Sequence, residues 1–342
     1  MKTKFEIVFW SLGLLVIMLS CRSNREEIAI YEPHPFFTTD NFSDKIFVTD
    51  NIRAIIFDDN DYYFLDKKST LVIRTDKDLN LITTYGRKGR GPGETIYMDS
   101  FAVGEENLYT EGNGNTIHIF DKNDQRYLSS IEREVKVGGV TISSRLLEKN
   151  NGLIGCFTGE YTAQGTPVVE IDFSGNVVKA SEGTVIGESE KARATTDRDI
   201  FRLKNGGFLS VVRNAPIVDL YNSDMDYIKS IDISKVNLVG ERIEQIEQQK
   251  KKQENPNTVY YIVSDSYYSN DKLYLLCYSP NEAPQGVDSN TIVEMELRNN
   301  ELIHVRNIKL PGRWYHSICI TPDNSILTAA NTLESCIEQF EL

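Results

Sequence analysis

Histidine is scarce in this chain: His34, His118, His304 and His316 are the only four, and none stands in an HExxH or comparable zinc arrangement. No Gly-x-Ser-x-Gly elbow marks a nucleophilic serine. The most acidic turn, Asp58-Asp59-Asn60-Asp61, lacks the glycine and distal glutamate of a calcium loop. No catalytic set, no metal site and no cofactor are therefore expected from local motifs. Cysteine is sparse too, and Cys21, Cys156, Cys277, Cys319 and Cys336 form neither a zinc pattern nor a dense disulfide framework. The last four sit in apolar, strand-like runs, which favours buried thiols and leaves a Cys319–Cys336 bridge as the alternative. Positive charge is also short, with 37 basic against 50 acidic residues and a net charge of −13. Such a chain repels phosphates, so no nucleic-acid partner is expected.

Long apolar stretches are missing, with one exception at residues 7–19, directly after Lys2 and Lys4. That run is shorter than the roughly 20 residues a spanning helix needs, so residues 1–20 read as an export signal. Ser20 and Cys21 follow it at once, and Met18-Leu19-Ser20-Cys21 resembles the lipobox of bacterial lipoproteins. The resemblance implies acylation of Cys21 and a lipid anchor in the outer membrane, facing the periplasm or the cell surface. Loss of Lys2, Lys4 and Glu6 with the signal takes the net charge to −14.

What the chain does have is a repeat. Polar turns flanked by short runs rich in Ile, Val, Tyr and Phe recur along its length, which is the signature of hairpins. Asn60, Asn107, Asn151, Asn205, Asn270 and Asn324 mark one such turn each, at intervals of 47, 44, 54, 65 and 54 residues. Propeller blades recur at about 40–50 residues. A second series of turns follows the first five hairpins, near Asp76, Asp121, Asp172, Asn222 and Asn299, where the third and fourth strands of a blade would join. The sixth unit stops at Leu342, one strand short, and a stretch near residues 28–31 or 45–49 is expected to supply the missing strand. Closing the ring with strands from both ends removes an exposed sheet edge. The expectation is an all-β, six-bladed β-propeller over residues 44–342, with residues 21–43 as a tether able to contribute a ring-closing strand.

One segment reads as helix. Val239, Ile243 and Ile246 share a face, and Lys250, Lys251 and Lys252 lie at its end, which suits the helix dipole. A helical insertion over about 240–253, between blades 4 and 5, is expected. It serves either as a lid or partner-binding element or as a connection packed on the ring's side.

The run Tyr85-Gly86-Arg87-Lys88-Gly89-Arg90-Gly91-Pro92-Gly93-Glu94 resembles the Gly-Pro-Gly-Glu motif of six-bladed propeller lipoproteins common in Bacteroides-type bacteria, which are similar to TolB and NHL propellers. The resemblance implies fold and location and transfers no catalytic residue. The run is no P-loop, since Glu94 leads into a strand and not a helix. Arg87, Lys88 and Arg90 are candidates for an anion or carboxylate-sugar site, or else pair with Glu94 and nearby acids. Arg313, Trp314, Tyr315 and His316 offer a cation, two aromatic faces and an imidazole for a sugar or peptide, or serve packing between blades. The cluster Tyr260, Tyr261, Tyr267 and Tyr268 admits the same two readings. The expectation is a non-catalytic binding or scaffold module for a glycan, peptide or envelope protein. The alternative is a hydrolase or lyase acting on a lactone, ester or polysaccharide, with acids scattered one per blade around the channel.

Overall fold

The computed structural model describes residues 28–112, 116–133, 145–150, 152–156, 168–184, 197–252, 258–281 and 286–342. Residues 1–27, with the segment expected to be an export signal and Cys21, lie outside the described residues.

The polypeptide folds into six antiparallel sheets arranged as a propeller. Blade 1 runs Ile52–Asp58, Asp61–Asp66, Leu71–Asp76 and Leu81–Tyr85. Blade 2 runs Met98–Val103, Asn107–Gly112, Thr116–Asp121 and Tyr127–Glu132. Leu147–Lys149, Gly152–Gly155, Val168–Asp172 and Val177–Ser181 make blade 3. Arg198–Arg202, Phe208–Val212, Ile217–Tyr221 and Tyr227–Asp232 make blade 4. Blade 5 has longer strands, Val263–Ser269, Lys272–Pro280, Val287–Arg298 and Glu301–Lys309. Blade 6 takes Tyr315–Ile320, Ile326–Asn331 and Cys336–Glu341 from the end of the chain. First strands of consecutive blades adjoin from blade 2 round to blade 1, so they line the axis.

The fourth strand of blade 6 is Pro35–Thr39, antiparallel to Cys336–Glu341. Neither stretch expected for this task performs it. Ile30 and Tyr31 instead add a parallel fifth strand to blade 5, and Ile46–Phe47 folds back on Asn41–Ser43 in a separate hairpin. The reason is the reach of the hairpin: Phe42 and Val48 are buried in the cluster between blades 6 and 1, and that anchoring leaves residues 35–39 beside the open edge.

Both turn series have a shared physical basis. Asp59–Asn60 and Asn270–Asp271 take positive φ at both central positions, the two-residue hairpin geometry that Asn and Asp tolerate best. In the second series an Asx side chain organises the turn. Asp76 accepts the backbone N–H groups of Asp78 and Asn80, and Asp121, Asp172 and Asn222 repeat the arrangement in blades 2, 3 and 4. Among the described residues, each junction of neighbouring blades holds one cluster of buried apolar side chains. Burying one large apolar side chain stabilises by about 1.5–3 kcal/mol, so every blade depends on both neighbours. Cys156, Cys277, Cys319 and Cys336 are buried free thiols, with no Cys319–Cys336 bridge.

The helix, α1, spans Asn237–Lys252, three residues longer at its start than expected. Gly240 lies inside it because the Val236 carbonyl already accepts the Gly240 N–H. Val239 and Ile246 enter the core between blades 4 and 5. No helix among the described residues is long and apolar enough to cross a membrane.

Candidate functional site at the mouth of the channel

The start of each first strand and the end of each second strand meet at one end of the channel. Several of these positions carry charge. Arg53 stands in the first strand of blade 1, Asp99 in that of blade 2, Asp199 in that of blade 4 and Asp265 in that of blade 5. Arg145 arrives just before the first strand of blade 3, bridged in parallel to Phe101.

Arg145 closes the axis. Its Nη1 and Nη2 donate to the two carboxylate oxygens of Asp265 at 2.6 and 3.0 Å. Nη2 also reaches the Ile55 carbonyl of blade 1 at 3.5 Å and the Ile318 carbonyl of blade 6 at 3.4 Å. Asp199 lies 3.6 Å from the guanidinium, and the rings of Phe201 and Tyr267 flank it at 5.9 Å each. One side chain thus joins blades across the whole ring. Burial pushes the Asp265 carboxyl up, against the opposing pull of Arg145.

Above this plug lies a second polar layer. Lys67, in the turn after the second strand of blade 1, sits 3.6 Å from Asp99. Arg213, after the second strand of blade 4, sits 3.3 Å from Asp197 and over the ring of Tyr261 at 5.6 Å. Arg53 donates from Nη1 to the His316 ring at 2.9 Å, so that imidazole is an acceptor. Burial first, and then the cations Arg53 and Arg213, push His316 down to about 3, which keeps it neutral. Burial pushes Asp197 up to about 7 although Arg213 opposes it, and burial likewise raises Asp99 against Lys67. Trp314 completes the rim, with its ring 5.9 Å from Tyr278 and 6.5 Å from His316. From behind, Arg242 of α1 donates to the Tyr261 carbonyl at 3.0 Å and stacks on Tyr278 at 5.7 Å. The helix therefore buttresses the aromatic side of the mouth.

The expected residues divide. Trp314 and His316 reach the mouth. Tyr315 is fully buried, with its hydroxyl 2.5 Å from Glu338, and Arg313 turns outward to Asp288 at 3.0 Å. The glycine-rich run lies elsewhere, between the outer strand of blade 1 and the inner strand of blade 2. There Arg87 pairs with Glu94 at 2.5 Å, Glu94 accepts the Gly91 N–H at 2.8 Å, and Lys88 pairs through its backbone with Thr95. A side chain at Gly89 would displace the Glu94 carboxylate from its place beside Arg87. Arg90 lines a cavity of about 620 Å³ against His118, Ser130 and Glu132 on the outer strands of blade 2. No motif along the chain marks Arg53, Lys67, Asp197, Arg213 or Arg145. The signal available was a charged residue at the edge of an apolar strand, Arg53 near the start of a first strand, Arg145 and Asp197 just before one, and Lys67 and Arg213 just after a second strand. Among the described residues, no three His, Cys, Asp or Glu side chains are grouped as a metal set.

No protein-family model matches the chain, and no match was found among curated proteins. Solved structures do resemble it. A Bacteroides fragilis protein described as exported aligns with a TM-score of 0.57 at 11% identity, over 91% of this chain and 98% of that one. A chain of the mitotic checkpoint complex aligns at a TM-score of 0.52 and 10% identity, over 90% and 95%. A chain of Kuenenia stuttgartiensis hydrazine synthase aligns at 0.51 and 10%, over 86% and 96%. At these identities the likeness is one of fold: the protein is a six-bladed β-propeller.

Proposed function

We propose that this protein is a cell-envelope lipoprotein of the TolB-like and NHL-like kind, held to the outer membrane through acylated Cys21, whose propeller is a non-catalytic binding module. Its partner is a glycan, a peptide or an envelope protein, and the mouth of the channel is where that partner sits. One observation carries the reading: Asp265 on the axis is held two-pronged by Arg145, which closes the channel beneath a mouth lined by Arg53, Lys67 and Arg213. A general base needs a carboxylate aimed at a substrate proton, whereas here the axis is closed and the mouth presents cations and aromatic faces. The likeness to an exported Bacteroides protein supports the envelope setting.

The test has two arms. Metabolic labelling with a fatty acid should mark the protein and fail with Cys21→Ser. Glycan and peptide arrays should give binding that Trp314→Ala abolishes. Turnover of a lactone, ester or polysaccharide panel that disappears with Asp197→Asn would replace this reading with the hydrolase or lyase alternative.

A further inference from the structure

Arg53, Lys67 and Arg213 stand with Asp99 and Asp197 in the upper layer, and with Arg145, Asp199 and Asp265 below them the site is formally balanced in a chain of net charge −13. The three cations are close enough for each of Arg53 and Arg213 to disfavour protonation of Lys67, and for Arg213 to act likewise on Arg53. Among the described residues Arg53 makes no salt bridge. Its polar contacts are the Asn51 amide oxygen and the neutral His316 ring. Lys67 has a single carboxylate at 3.6 Å and so keeps donors to offer.

Two buried atoms lack a hydrogen-bond partner: Nε of Arg213, a donor, and Oδ1 of Asp197, an acceptor when the carboxyl is ionised. Asp197 is only 4% exposed. Leaving a buried polar group unpaired costs about 1–3 kcal/mol, so a ligand that presents an acceptor beside a donor gains from both. A carboxylate next to a hydroxyl is such a pair. A fully ionised phosphate offers acceptors but no donor for the ionised Asp197 Oδ1. Beside the cations stand Trp314 and Tyr278, inclined at 56° to one another, and the half-buried face of Trp314 suits the apolar face of a pyranose ring.

We infer that the mouth binds an acidic sugar, its carboxylate among Lys67, Arg53 and Arg213 and its ring against Trp314. This inference rests on the binding role proposed above and names its ligand class. Arg145 and Asp265 close the axis beneath the bound sugar.

The chain supplies its own reporter. Its two tryptophans are Trp10 and Trp314, so in the Trp10→Phe full-length protein the indole fluorescence reads the mouth alone. Titration with galacturonate and glucuronate oligosaccharides should give a saturable change. Galactose and glucose oligosaccharides, inorganic phosphate and a glutamate-rich peptide should bind at least tenfold more weakly. Lys67→Met should weaken uronate binding at least tenfold, and Lys67→Arg should restore most of it, with near-ultraviolet circular dichroism verifying the fold of both. Equal affinity for neutral sugars, no response to uronates, or uronate binding indifferent to Lys67→Met would overturn the inference. A saturable response to the peptide or to neutral sugars alone would overturn the acidic-sugar assignment while keeping the binding role. Silence to every probe combined with enzymatic turnover would overturn both.

Discussion

Arg145 and Asp265 meet on the axis of the ring, guanidinium to carboxylate, through two hydrogen bonds of 2.6 and 3.0 Å. Asp265 uses the same carboxylate to accept the backbone N–H of Ile318 in blade 6 at 2.8 Å. The pair thus joins the entry to blade 3, the wall of blade 5 and the wall of blade 6 in one bonded unit. Removing one member leaves the other buried and uncompensated. Arg145→Met should therefore destabilise the protein by about 3–5 kcal/mol, read as a lowered urea midpoint at pH 7. A loss under about 1 kcal/mol would mean that the plug is not structural.

Asp197 makes stability depend on pH. Its carboxyl is pushed up to about 7 by burial, while the unfolded chain holds it at about 3.9. Between those values the folded state carries the proton that the unfolded state has released, so stability falls as pH rises from about 4 to about 7 and then levels. The span is worth at most ~4 kcal/mol. Arg213 and Lys67 oppose the shift and Asp199 adds to it. Asp197→Asn should flatten this part of the profile in urea titrations run from pH 4.5 to 8. An unchanged slope would assign the dependence to another group.

The first hairpin tests the turn chemistry. Asn60 sits at φ 65° after Asp59 at φ 50°, where a Cβ-bearing residue without a polar side chain costs about 1–2 kcal/mol. Asn60→Ala should lower stability by about that much, and Asn60→Gly should be close to neutral. Paired thermal melts decide it, and equal losses from both would place the role of Asn60 in its side-chain contacts.

Ring closure depends on the beginning of the chain. A protein starting after Thr39 lacks the strand that covers Cys336–Glu341 and exposes a ready edge for pairing between molecules. It should melt well below the parent and form oligomers by light scattering. Phe42→Ala is the gentler version: Phe42 is buried, with its ring 4.9 Å from Phe64, and its truncation should cost about 3–5 kcal/mol without opening the edge. A truncated chain that stays monomeric and melts like the parent would show that the ring holds with three strands in blade 6.

The hairpins were legible because their cause is local. An Asn or Asp takes positive φ, or an Asx side chain bonds its own turn, wherever it stands, and apolar strands on either side follow from burial on both faces of a blade. The strand that closes blade 6 was harder, since residues 28–31 and 45–49 look more strand-like than Pro35–Thr39. Its place depends on where Phe42 anchors the hairpin. The glycine-rich run announced a tight turn, and two of its glycines, Gly89 and Gly91, leave room for the Glu94 side chain. Of its three basic residues, conspicuous in the sequence, Arg87 pairs with Glu94, Lys88 bridges to Thr95 and Arg90 lines the cavity beside the outer strands of blade 2.

By itself, then, the sequence determined how many blades there are, where their turns fall and that one helix interrupts them, because each of these follows from neighbours a few residues apart. The mouth was decided only when the ring closed. Arg53 and His316 are 263 positions apart and Arg145 and Asp265 are 120 apart, and no spacing along the chain relates them. They meet because six blades of this width bring the starts of their first strands around one axis, where burial sets how tightly each carboxyl holds its proton.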